Sequence, residues 1–195
     1  MSMVQHVNKM CAKAFYGLYN IRQIRKFLSV DTTKVLVHAF VSSHLDYCNA
    51  LLCNIPNNLC NRIQRVFNAA ARVTCLVPRY DHISSTLLNL HWLPARYRID
   101  FKILILVYKC LCGNAPEYLR DMIKPKCIRR YSLMSSSEVF LETPIFRCST
   151  LGGRSFQSAG PRLWNKLPPH VRTAENLTSF KTKLKTYFFQ LAFGQ

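Results

Sequence analysis

The residues that could do chemistry are few, and their spacing fits no standard reaction. The best metal candidate is the set His44, Cys48, Cys53 and Cys60. A continuous helix would put His44 and Cys48 on one face, four residues apart. The remaining gaps match no familiar zinc module such as paired C-x-x-C. Buried thiols and an ordinary histidine are the preferred reading of these residues, because cysteine is among the most buried residue types. Cys110 and Cys112 lie on nearly opposite helix faces and make poor joint ligands. No metal and no cofactor is expected.

Catalytic templates fail in the same way. The chain has no phosphate-cradling GxxxxGK loop, no GxSxG elbow and no HExxH pair. Asp31, Asp46, Asp81, Asp100 and Asp121 are scattered, and no adjacent pair could hold two metal ions. His82 and His91 flank a short predicted helix, where capping or packing roles suffice. The chemistry left is that of charge. There are 27 Lys+Arg against 9 Asp+Glu, a net of +18 over 195 residues. Solubility alone needs a net charge of only about 2–8, so the excess implies a polyanionic partner, nucleic acid or an anionic membrane surface.

The elements that position these charges are helical. Val7, Cys11, Ala14, Leu18 and Ile21, preceded by Val4, recur every three or four residues and predict a helix over 4–28. Lys9, Lys13, Arg22, Arg25 and Lys26 lie off that seam. Ser29 or Asp31 can cap a second helix, with Val35, Leu36, Ala39, Phe40 and Leu45 as its apolar face, running on through Asn49 toward Pro56. A third follows Asn57-Asn58 and buries Leu59, Ile63, Val66, Phe67, Ala70 and Val73. Arg62, Arg65 and Arg72 lie elsewhere on it, and Val77-Pro78-Arg79-Tyr80 ends it.

A short helix over 83–90 leads to the most apolar one, 95–112, introduced by Trp92-Leu93-Pro94 and stopped by Gly113. Its wet stripe is basic: Arg98, Lys102 and Lys109. Pro116 starts another short helix. The serine-rich segment after Pro125 has no helical period and could hold a β-hairpin of 138–142 and 144–148. Pro161 suits the first turn of a helix carrying Leu163, Trp164 and Leu167. The last helix, 176–192, sets Leu177, Phe180, Leu184, Tyr187 and Phe188 against Lys181, Lys183 and Lys185. The fold class is mainly α: a helical bundle over 1–78, then an α-rich C-terminal domain with a core-helix segment (79–125), a serine-rich linker (126–153) and C-terminal helices (154–195).

Most aromatics, including Phe15, Phe40, Phe67, Phe101 and Phe188, fall on predicted core positions. Tyr16, Tyr80 and Tyr97 neighbour basic residues and are the better candidates for stacking on bases. No apolar run approaches the ~20 residues of a spanning helix. The first 20 residues read as amphipathic helix and not as a leader. Nine cysteines without a secretion signal imply reduced thiols in an intracellular compartment, nucleus or cytoplasm.

Four stretches carry a resemblance: RKFLSVDTTKVLVHAFVSSHLDYCNALL (25–52), RIQRVFNAAARVT (62–74), LHWLPARYRIDFKILILVYKCLCGNAPEYL (90–119) and GGRSFQSAGPRLWNKLPPHVRTAENLTSFKTKLKTYF (152–188). In this order they resemble the C-terminal part of reverse transcriptases from non-LTR (LINE-type) retrotransposons of the jockey or chicken-repeat-like sort. The resemblance implies a thumb-like bundle up to about residue 78 and a C-terminal extension beyond it. Endonuclease, fingers and palm, with the palm's metal-binding aspartates, have no counterpart here, so no enzymatic activity is expected.

The expected function is non-catalytic, sequence-nonspecific binding of RNA or an RNA–DNA hybrid. The expected contacts are Lys9, Lys13, Arg22, Arg25, Lys26, Arg62 and Arg65, then Arg98, Lys102, Lys109, Lys181, Lys183 and Lys185. Two alternatives stand beside it. One is a structural or interaction fragment with no independent activity, exposing the surface on which a parent palm would pack; the truncated element copy that the resemblance implies belongs with the nucleic-acid-binding reading. The other is peripheral membrane association through the last helix.

Overall fold

The computed structural model describes residues 2–126, 139–144 and 152–194. It is mainly helical. Two compact units emerge. One comprises Met1–Asn49, Ile55–Arg98 and Ala192–Gln195, the other Ala50–Asn54 and Ile99–Leu191. The division falls inside a helix, between Arg98 and Ile99. Residues 79–98 belong with the first unit for a local reason: Trp92 and Leu93 are buried, and the Ala95 N–H donates to Gln64 Oε1 at 2.7 Å.

In the first unit, α1 (Met3–Ile24) buries Val7, Met10, Cys11, Ala14, Leu18 and Ile21, the predicted seam without Val4, and passes into a 3-10 turn at Arg25–Phe27. Ser29 caps α2 (Val30–Val37), its hydroxyl accepting from the Thr32 N–H at 3.1 Å. A π-helical turn at His38–Ser42 and α3 (Ser43–Asp46) follow.

The predicted apolar face of this stretch is corrected. Val35 and Phe40 are exposed, and the buried residues are Thr33, Val37, Val41, Ser42 and Leu45. Hydrogen bonds to the fifth residue widen the turn, so a four-residue spacing comes close to a full rotation and Val37, Val41 and Leu45 align. Thr33 tolerates burial because its hydroxyl donates to the Ser29 carbonyl at 2.7 Å.

Helix α4 (Asn57–Cys75) buries Leu59, Ile63, Val66, Phe67, Ala70 and Val73 as predicted. It packs along α1 in the same direction. Arg62 near its start bonds Asn8, and Arg25 at the end of α1 reaches Val73 and Thr74. Its last turn closes on Leu76, a left-handed residue at φ 54°, with the Val77 N–H on the Arg72 carbonyl at 3.1 Å. Short α5 (Ser84–Asn89) ends on left-handed His91, consistent with a capping role there.

Helix α6 (Ala95–Leu111) contributes Ile99, Ile103, Leu104, Val107, Tyr108 and Cys110 to the core of the second unit. Gly113, at φ 73°, ends it as expected. After α7 (Glu117–Arg120), residues 124–126 pair with 140–142 through a single bridge, Pro125 to Leu141. Of the expected hairpin over 138–142 and 144–148, most of the second arm falls outside the described residues. The Asn165 amide both accepts from the Leu141 N–H and donates to its carbonyl, holding this segment against the end of the helix Phe156–Trp164.

Helix α8 (Phe156–Trp164) starts a turn earlier than expected, so Pro161 lies inside it. Gly160 makes room there: a Cβ at this position would stand 2.8 Å from Val107 Cγ2. After α9 (Pro169–Arg172), α10 (Leu177–Phe193) buries Phe180, Leu184 and Phe188. The Phe180 ring stacks on Tyr108 at 4.3 Å and lies 5.8 Å from Trp164. Of the expected apolar face, Phe180, Leu184 and Phe188 are buried and Leu177 and Tyr187 half-buried.

Candidate nucleic-acid interface

The first unit carries a groove of about 970 Å³ along the line where α1 meets α4. Two basic rows flank it. On α1 and the turn after it, Phe15, Arg22 and Lys26 recur at seven and four residues and share a face. On α4, Arg65, Asn68, Ala69 and Arg72 recur at three and four, and Leu76, Val77 and Arg79 continue the row past the helix end. Among the described residues no acidic side chain lines the groove. Like charges so crowded repel one another and favour an anionic occupant.

Not every cation here is available. Arg25 is only 7% exposed, and three of its N–H groups are spent on carbonyls: Nε on Val73 and Nη2 on Thr74, both at 2.8 Å, and Nη1 on Leu28 at 2.7 Å. It satisfies carbonyls at the end of α4, where a positive charge also suits the helix dipole. Arg72 bonds the Pro78 and Asp81 carbonyls and so pins the loop bearing Arg79. Arg22, Lys26, Arg65 and Arg79 are exposed.

The structure sorts the predicted contacts into separate places. Arg22, Arg25, Lys26 and Arg65 meet at the groove. Arg62 stands farther along α4 and bonds Asn8. Lys9 and Lys13 lie on the other side of the buried seam, in a second concavity of about 520 Å³ with His6 and His44. Arg98 serves the fold instead. Its Nη1 pairs with Asp46 at 2.7 Å, Nε donates to the Leu93 carbonyl, and the guanidinium lies 4.3 Å over the Phe67 ring. Lys102 is exposed and Lys109 half-buried on α6. Lys181, Lys183 and Lys185 are exposed on α10.

Two groove cations, Arg72 and Arg79, stand outside the expected contacts. Arg72 was legible as seven residues beyond Arg65, on the same face of α4. Arg79 shows itself in sequence only as part of the helix stop. Phe15, expected in the core, is 44% exposed at the groove. Tyr80, a stacking candidate beside Arg79, is 93% exposed.

Among the described residues no group of three or more His, Cys, Asp or Glu could hold a metal ion. His44 and Cys48 do not share a helical face, because α3 ends at Asp46 and Cys48 turns left-handed at φ 50°. Burial raises the thiol pKa of Cys11, Cys53, Cys75 and Cys110, which disfavours the thiolate that a metal or an electrophile would need. No described helix is long and apolar enough to cross a membrane. No family model, curated protein or solved structure matches this chain.

Proposed function

We propose that this chain is a non-catalytic nucleic-acid-binding fragment of a LINE-type reverse transcriptase, gripping RNA or an RNA–DNA hybrid by its phosphates. The observation that carries the reading is the groove itself. Arg22 and Lys26 on one side and Arg65, Arg72 and Arg79 on the other converge with no carboxylate among them. Contacts of this kind neutralise phosphates and carry no base sequence. The four resembling stretches support the retroelement origin, and the thumb-like first unit holds the groove.

Fluorescence anisotropy with a 20-mer RNA–DNA hybrid and a 20-mer RNA tests the reading. Binding at low salt should weaken steeply as salt rises from about 50 to 200 mM. No binding of either at low salt would end it.

A second reading has its own support. Val35 and Phe40 leave apolar surface exposed on the first unit. A surface for the missing palm would look so, and the isolated chain would then self-associate in sedimentation.

A further inference from the structure

The groove has apolar lining that phosphate recognition does not require. Phe15 stands 44% exposed in the α1 row, and Ala69 and Val77 add apolar lining on the α4 side. Leu76 is 68% exposed and holds a left-handed backbone that glycine would adopt more easily. Its side chain adds exposed apolar surface at the α4 end of the groove.

These features separate two forms of nucleic acid. A duplex turns phosphates and sugars outward and keeps its base faces stacked inside, so it offers nothing flat to an aromatic ring. A single strand can lay a base on the ring while its flanking phosphates meet the cations on either side. We propose that the groove takes single-stranded nucleic acid, with a base stacked on Phe15 and phosphates held by Arg22, Lys26 and Arg65. This rests on the nucleic-acid reading above and narrows it to the unpaired strand. Every base has a flat face, so the site selects strandedness and not sequence.

The test uses the full chain, a 12-mer RNA and an RNA–DNA hybrid of equal phosphate number. The single strand should bind more tightly. Phe15→Leu should narrow the gap between the two affinities by about five- to tenfold, the loss of one stacked base. Phe15→Trp keeps the test open should the leucine variant fold poorly. Its added indole emission should be quenched by the 12-mer and not by the hybrid. Equal affinities for the two forms, with no selective loss in Phe15→Leu and no quenching in Phe15→Trp, would overturn the proposal and leave general phosphate binding standing. Binding of neither form would overturn both. Displacement of the 12-mer by an acidic, tyrosine-rich peptide at lower concentration than by competing RNA would assign the groove to a protein partner and also overturn it.

Discussion

The guanidinium of Arg25 donates from Nη2 to the carbonyl of Thr74 at 2.8 Å, across 49 residues of sequence. With the Val73 contact beside it, this ties the end of α1 to the end of α4. Arg25→Met should cost about 2–4 kcal/mol in urea unfolding, because carbonyls lose charged donors in a buried place. Arg25→Lys should recover only part, since a point charge cannot serve three carbonyls in the plane of a fork.

Arg98 and Asp46 make a half-buried pair beside Phe67. A double-mutant cycle of Arg98→Met and Asp46→Asn should give a coupling of about 1 kcal/mol, above the usual surface pair. The slope of RNA affinity against salt should be the same in Arg98→Met as in the parent chain. A reduced slope would mean that Arg98 reaches phosphate after all.

The exposed groove cations behave differently. Arg22→Gln and Arg65→Gln together should reduce the salt slope by about 1.4 for a single strand, roughly 0.7 for each phosphate left without its cation. Lys183→Gln, on exposed α10, should leave it unaltered. Anisotropy titrations at four salt concentrations would read both.

Leu76→Gly separates stability from binding. Removing a left-handed leucine should leave thermal stability equal or higher by up to about 1 kcal/mol. Affinity for a single strand should fall, because the groove loses an exposed apolar side chain. A variant that binds as well as the parent would show that the leucine serves only the helix end.

Tyr108 sets an alkaline limit on the second unit. Burial, and then the neighbouring Cys112, push its phenol up to about 12, and its hydroxyl donates to the Ala174 carbonyl at 2.9 Å. The folded state prefers the neutral phenol, so this stabilisation is complete below pH 10 and is lost as pH climbs from 10 toward 12. Tyr108→Phe keeps the ring against Phe180 and should cost about 1 kcal/mol at neutral pH. Unfolding measured from pH 9 to 12 should show a shallower decline in the variant.

Much of this architecture was legible from periodicity. The seam of α1, the buried side of α4 and the stop at Gly113 each follow from three-and-four spacing or from a residue with one conformational use. Phe40 departs from expectation because a π turn at His38–Ser42 changes the angle per residue, and Val35 departs because Thr33, its hydroxyl satisfied by the Ser29 carbonyl, takes the buried place on α2. Pro161 departs because α8 begins at Phe156, before the proline that marked its expected start. The site was half legible. Off-seam cations can be counted in sequence, but which are consumed by carbonyls, as Arg25 is, depends on a contact with residues 48 and 49 positions away. Arg98 escapes sequence reasoning for the same reason, since its partner Asp46 lies 52 residues back.

The parallel course of α1 and α4 has a consequence for biosynthesis. Helices joined by a short loop can pair as soon as the second is made, but these two cannot. Roughly 50 residues must leave the ribosome after Arg25 before its acceptors exist, some 3–10 seconds at about 5–20 residues per second. For that interval the first helix carries an uncovered oily edge, and a nascent chain stalled before Thr74 should be the form that chaperones hold.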